Sequence, residues 1–254
     1  LVKENLNTMN GLIMFHQGWT DIVNCLSIIN FYSEKYQNIT LAIRDDSKDL
    51  IDFYCKNLSN VNVKYYPKFK LDNSLNEVID ENQNNDLLFI GLHDVYRNDE
   101  FKDKFRTSNS SSCFVEKFYI DSGIDYINRI NLFNINRDVE LENDLFNKFI
   151  EVNGPDYILY HEDSSRDIRI DKTNFNTNFK SVDLNGVSSV FFDYIKIIEN
   201  TKEIHLIDSV WASIIYHIDC KYKLFSHIPI HLHCLRDYQT MFTKPIKLDN
   251  WIIT

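Results

Sequence analysis

Long hydrophobic runs are missing from this sequence. No stretch of eighteen or more apolar residues occurs, so no membrane-spanning helix is expected. The apolar run Leu12 to Phe15 is too short for a signal-peptide core, and His16 and Gln17 interrupt it. Paired cysteines are missing too. Cys25, Cys55, Cys113, Cys220 and Cys234 are scattered, odd in number and contain no C-x-x-C, a pattern of reduced thiols rather than a disulfide framework. A cytoplasmic location, or loose peripheral attachment to a membrane surface, is the expectation. Positive charge is scarce: the formal charge is −10 and the pI about 5.2, so general nucleic-acid binding is not expected. A local basic pocket for one small phosphorylated ligand remains compatible with that charge. The chain has no G-x-G-x-x-G, no G-x-x-x-x-G-K-[ST] and no G-x-S-x-G, which counts against a dinucleotide-binding, P-loop or serine-hydrolase chain. It also has no Asp-x-Asp triplet, the usual means of holding a nucleotide diphosphate through a divalent metal.

What is present is ordinary globular composition, 44% hydrophobic and 25% charged, in 254 residues. That length admits one large domain or two small ones, each able to bury a core. Leu12–Phe15 predicts a buried strand. Ile22, Cys25, Leu26 and Ile29 then mark one face of a helix over residues 21–35. Strands are predicted at 39–43, 61–65 and 87–91, with helices at 47–58 and around 75–79. Residues 96–136 carry the polar run 107–112, expected as a loop. A helix over 139–150 and the Gly154-Pro155 punctuation follow, and the alternation restarts. Strands are expected at 157–160, 180–184, 204–207 and 222–225, with helix faces marked by Val187, Val190, Phe191, Tyr194 and Ile198, and by Trp211, Ile214, Ile215 and Ile218. Repeated strand–helix–strand units imply parallel sheets covered on both faces. Two such series predict two doubly wound, Rossmann-like α/β lobes, residues 1–136 and 137–254.

Ligands of open parallel sheets bind beyond the carboxyl ends of the strands. Three strand ends carry unusual polar residues. In His16-Gln17-Gly18-Trp19-Thr20-Asp21, Gly18 permits a tight turn or close backbone approach, and Thr20 or Asp21 can cap the helix. Asp21 is therefore either a plain cap or a general base, with His16 as the alternative base. In His161-Glu162-Asp163-Ser164-Ser165-Arg166, the hydroxyls of Ser164 and Ser165 and the guanidinium of Arg166 suit a phosphate, or Arg166 is salt-bridged locally. At Asp208-Ser209-Val210 a helix start offers backbone N–H groups to an anion, or an ordinary cap. His231-Leu232-His233-Cys234 holds metal-capable side chains, but on a strand Cys234 faces away from the two histidines and no fourth ligand is evident, so no metal site is expected.

The strand, the short Gly-containing loop ending in Asp and the apolar helix of Gly11 to Phe31 resemble the opening of the lipopolysaccharide heptosyltransferase family. Ile207-Asp208-Ser209-Val210-Trp211-Ala212 resembles the Asp-Ser/Thr-Gly turn of its second lobe. Two departures stand out: Thr20 separates Gly18-Trp19 from Asp21, and Val210 replaces a Gly. The resemblance implies a GT-B architecture, two lobes facing each other across a cleft, with acceptor on the first and nucleotide-sugar on the second. It implies inverting, metal-independent transfer to an acceptor hydroxyl of a glycan or lipid-linked sugar, with Asp21 as base and no cofactor beyond the nucleotide-sugar substrate. The heptose donor and lipid acceptor of that family do not transfer to this chain. Rival expectations are a two-lobed ligand-binding protein without catalysis and a nucleotide-sugar epimerase of the same fold.

Overall fold

Leu12, Ile13, Met14 and Phe15 are all buried, whichever face they point to. A strand without polar alternation belongs in the middle of a parallel sheet covered by helices on both sides. The computed structural model describes residues 10–15, 18–67, 74–82, 85–90, 114–185, 190–235 and 248–254. Gly91, the polar run 107–112 and Val187 lie outside them. The chain divides into two compact units, Leu1–Asn134 and Ile135–Thr254.

In the first unit the central strand is β1 (Asn10–Phe15), followed by α1 (Trp19–Ser33), β2 (Asn38–Arg44), α2 (Lys48–Cys55), β3 (Val61–Tyr66), α3 (Ser74–Glu81) and β4 (Asp86–Ile90). The strands are all parallel, in the order β3-β2-β1-β4. Helix α1 buries Ile22, Cys25, Leu26 and Ile29, as their spacing predicts; of the face expected for the 47–58 helix, Leu50, Ile51 and Tyr54 are buried in α2, while Leu58 lies beyond its end at Cys55 and is half-buried. Leu12 and Met14 of β1 pack with Ala42 and Val78 on one side of the sheet. Two short helices, α4 (Phe114–Asp121) and α5 (Asn128–Asn131), cover α1. Polar residues inside the apolar face of α1 are explained by this cover. Ser27 Oγ donates to the Arg129 carbonyl at 2.6 Å, and Asn30 Nδ2 to the Leu132 carbonyl at 2.7 Å. Tyr119 returns a hydroxyl to the Asn24 carbonyl at 2.7 Å. Each bond satisfies a group that burial would otherwise strand.

The second unit opens with α6 (Val139–Asn153), whose first turn is capped by the Asp138 carboxylate accepting from Leu141 N–H. It ends at Gly154, where φ is 80°, a left-handed position that glycine occupies at little cost. Then come β5 (Tyr157–His161), β6 (Lys180–Asp183), α7 (Ile195–Glu199), β7 (Ile204–Ile207), α8 (Val210–Tyr222), β8 (Ile230–His233) and β9 (Trp251–Ile253). This sheet is also wholly parallel, in the order β6-β5-β7-β8-β9. Arg137 clamps α6 to α7. Its Nε donates to Glu142 Oε1 at 2.8 Å and its Nη1 to Glu199 Oε1 at 2.7 Å, with Glu142 only 1% exposed.

Two expectations are corrected. Residues 222–225 are not a strand: α8 runs on to Tyr222, and Lys223 is left-handed at φ 59°. The buried Asp219 carboxylate then accepts from Phe225 N–H at 3.1 Å, which fixes a turn there. The strand is the next alternating segment, β8, with Ile230 and Leu232 buried and His231 and His233 on the other face. The helix expected over Val187–Ile198 is shorter, starting as a 3₁₀ turn at Phe191–Tyr194 before α7. Phe191, Phe192 and Asp193 are buried consecutively, which the single inward stripe of an α-helix does not offer. No helix among the described residues is long and apolar enough to cross a membrane.

Candidate functional site

Strand order fixes where each sheet opens. In the first unit the chain winds outward from β1 to β2 and β3, then returns to β4 on the other side of β1. In the second it goes from β5 out to β6, then returns to β7 on the other side of β5. Where the winding reverses, the connecting loops part and leave a crevice at the carboxyl ends of the strands. The first such point is the end of β1, and the second is the ends of β5 and β7. All three polar segments singled out in the sequence follow these strands.

After β1, Gly18 occupies the cap position of α1 with φ −71° and ψ 141°, and its carbonyl accepts from Ile22 N–H at 2.9 Å. Neither Thr20 nor Asp21 is the cap, because the backbone turns into the helix at Gly18. Asp21 instead sits half-buried in the first turn, near the helix's positive end. Burial, and then the negative charges of Asp21 and Asp121, push the Cys25 thiol well up. His16 lies outside the described residues.

After β5, Ser164, Ser165 and Arg166 form an exposed 3₁₀ turn. Two of them already turn to Asp163: Ser165 Oγ donates to its Oδ1 at 2.5 Å, and Arg166 Nη1 to its Oδ2 at 3.2 Å. The base of the loop is anchored by Glu162, 3% exposed, which accepts from Ile170 N–H at 2.9 Å. Lys172 Nζ lies 3.3 Å from the same carboxylate.

After β7, Asp208 and Ser209 are both buried, and Ser209 is the cap residue of the thirteen-residue helix α8. Its backbone is in place, with Ser213 N–H donating to the Ser209 carbonyl at 3.0 Å. Its side chain makes no capping bond, and among the described residues its buried Oγ has no hydrogen-bond partner. Val210, half-buried, begins the helix. A buried hydroxyl without a partner, beside the first N–H groups of a helix, is an arrangement completed by an anion. Because β5 and β7 are hydrogen-bonded neighbours, the 164–166 turn and Asp208–Ser209 share one sheet edge.

A second polar group occupies a face of the same sheet. His205 of β7 pairs in register with His231 of β8, and their rings stack at 4.5 Å. Glu203 Oε1 lies 2.7 Å from His205 Nε2 and 3.2 Å from His231 Nε2. Burial first, then the neighbouring imidazoles, push His205 down to about 3 and lower His233. Nothing in the local pattern places Glu203 and His205 beside His231. The signal was a histidine inside the apolar run Ile204-His205-Leu206-Ile207, but pairing it with β8 needs the strand order.

No protein-family model matches the sequence, and no curated protein matches it by sequence. Solved structures do. A family 9 glycosyl transferase from Veillonella parvula superposes with a TM-score of 0.59 over 99% of this chain and 87% of its own, at 10% identity. The ADP-heptose lipopolysaccharide heptosyltransferase II of E. coli gives a TM-score of 0.59 over 97% and 90% of the two chains, also at 10% identity. The chain shares its fold with these two structures. At that identity the likeness is one of backbone architecture, so the chemistry rests on this chain's own side chains.

Proposed function

We propose that this protein is a glycosyltransferase that moves a sugar from a nucleotide-sugar to an acceptor hydroxyl, with inversion and without a metal in the transfer step. In this proposal the two units act as facing GT-B lobes, the first holding the acceptor and the second the donor. The observation that carries it is Ser209: a buried hydroxyl without a hydrogen-bond partner among the described residues, at the start of α8, at the point where the second sheet reverses its winding. The donor diphosphate is held there by Ser209 Oγ and the backbone N–H groups of the first turn of α8. Arg166 reaches the same diphosphate once it exchanges Asp163 for phosphate, a trade of one exposed ion pair for a bidentate one.

The acceptor is a glycan or a lipid-linked sugar. Its oxygen attacks the anomeric carbon from the face opposite the diphosphate. The bond to the diphosphate oxygen breaks, and the acceptor proton passes to Asp21, with His16 as the alternative base. The charge that develops on the departing diphosphate falls on donors already oriented before reaction.

A thermal-shift screen of nucleoside diphosphates and nucleotide-sugars, followed by turnover assays of Asp21→Asn, tests this. A true ligand raises the apparent stability by mass action. Asp21→Asn is expected to keep nucleotide affinity and lose about 10²- to 10⁴-fold in turnover. Turnover at the unsubstituted rate removes Asp21 as the base. A protein that binds nucleotide but has no turnover with any donor and acceptor is a binding protein, and isomerised free nucleotide-sugar as product means an epimerase.

A further inference from the structure

The group formed by Glu203, His205 and His231 stands apart from the donor edge. His205 precedes Asp208 by three residues, about 10 Å along a strand. We infer that Glu203, His205 and His231 bind a divalent transition-metal ion of the Zn²⁺ type, independently of the proposed transfer reaction.

Three ligand atoms, one from each residue, lie within 4.8 Å of one another. Ligands about 2.0–2.2 Å from a tetrahedral ion are separated by about 3.3 Å. The Glu203–His231 separation of 3.2 Å already matches, and the 2.7 Å between Glu203 and His205 opens by about half an ångström on that scale. Two imidazoles and a carboxylate are a donor set for Zn²⁺ and its neighbours rather than for Mg²⁺ or Ca²⁺. Glu203 directly precedes β7, His205 lies in β7 and His231 in β8, and β7–β8 pairing fixes the spacing of the two histidines before any ion arrives. The His205 ring is held between Phe175, at 4.2 Å, and His231, so Nε2 stays aimed at the carboxylate. His231 is 22% exposed, which gives an ion a way in and leaves a coordination position for water.

The surrounding hydrogen bonds orient the ligands. His205 Nδ1 is 3.0 Å from His233 Nε2, and His233 Nδ1 is 3.1 Å from Thr254 Oγ1. This chain admits two arrangements of the same protons. Without metal, His205 Nε2–H donates to Glu203, Nδ1 accepts from His233 Nε2–H, and His233 Nδ1 accepts from the Thr254 hydroxyl. With metal, His205 Nε2 is a bare lone pair, Nδ1–H donates to His233 Nε2, and His233 Nδ1–H donates to Thr254. Both imidazoles change tautomer and neither changes charge. A partner on the far nitrogen is the usual support for a ligating histidine.

The test uses untagged, full-length protein freed of metal with chelator and titrated with Zn²⁺ in a calorimeter, with Co²⁺ as a spectroscopic probe. Expected are one equivalent of Zn²⁺ at micromolar affinity or tighter, and a visible Co²⁺ band that Zn²⁺ abolishes. His231→Ala and Glu203→Gln lose saturable binding. His233→Gln weakens it about 10- to 100-fold. Cys234→Ser leaves it unchanged. Nitrogen-15 NMR of the folded, unsubstituted protein shows His205 and His233 exchanging tautomer as Zn²⁺ is added, a readout that survives if a variant fails to fold. Absence of 1:1 binding, binding that persists in His231→Ala, binding lost in Cys234→Ser, or unchanged histidine tautomers each overturns the assignment.

Discussion

Replacing Ser209 with Ala should move stability and ligand affinity in opposite directions. A serine that caps a helix contributes about 0.5–2 kcal/mol, and its removal normally costs that much. Ser209 holds the cap position of α8 without making the bond, so the cost does not arise. Its Oγ is instead desolvated and partnerless among the described residues, a state that is unfavourable by about 1–3 kcal/mol. Ser209→Ala is therefore expected to leave the ligand-free protein unchanged or to stabilise it by up to about 3 kcal/mol. The same hydroxyl, already stripped of water, gives a diphosphate a charge-assisted hydrogen bond worth about 1.5–3 kcal/mol. Its loss weakens nucleoside diphosphate binding about 10- to 150-fold. Urea unfolding at constant m-value measures the first effect, and calorimetric titration the second. If the variant loses 0.5 kcal/mol or more, at the scale of an ordinary cap deletion, roughly the low end of that range, the hydroxyl is bonded in solution. If affinity is unchanged, no phosphate touches it.

Other outcomes follow from the same geometry. Arg137→Met leaves Glu142 buried without its cation and is expected to destabilise the protein by about 3–5 kcal/mol in urea unfolding. Adding Glu142→Gln to that variant should recover part of the loss, because the uncompensated charge is gone; strict additivity refutes the coupling. Cys25, Cys55 and Cys220 are buried and Cys234 is exposed. Burial, then Asp52, pushes the Cys55 thiol up to about 12, so no thiolate forms there near neutral pH. Mass mapping after brief maleimide treatment should find Cys234 labelled before these three. Asp208 is the charge that raises the Cys234 thiol, after burial, so saturating nucleoside diphosphate should slow its labelling. An unchanged rate would place the nucleotide elsewhere. Nucleoside diphosphate binding should persist in chelator; binding that requires magnesium or manganese contradicts metal-free neutralisation of the phosphates.

The elements of both sheets were legible wherever a buried strand is flanked by helices with a one-sided apolar stripe. Leu12–Phe15 and the Ile22, Cys25, Leu26, Ile29 face are examples, and both are local patterns. Residues 222–225 differ from expectation because Tyr222, Leu224 and Phe225 are buried or half-buried equally well as a helix end and the turn after it. What ends α8 is the long-range service of Asp219, which also accepts from Asn250 Nδ2 and Trp251 Nε1. The position of Ser209 after a strand and before a helix was visible in the sequence. The missing cap bond was not, since a rotamer is decided by packing. Asp21 was legible as a residue of the first turn, but the cap falls on Gly18, where the backbone enters the helix. The Glu203–His205–His231 group was hidden for a different reason. Its members come from two strands joined by a helix, and only strand order brings them together.

The β3-β2-β1-β4 order also has a kinetic consequence. Pairing Asn10 with Asn38 and Ile39 with Val61 closes short stretches of chain, whereas pairing Gly11 with Asp86 closes a long one. Loop-closure entropy delays the long pairing, so β1, α1 and β2 are placed to form the folding nucleus and β4 to dock late. Substitutions in β1 or α1 should then slow refolding, while substitutions in β4 should mainly speed unfolding. The turn that carries Asp21 would take shape with the nucleus, and the crevice beside it would close only when β4 arrives. In this fold the sheet's reversal of winding, which opens the crevice, would also be the last step of its assembly.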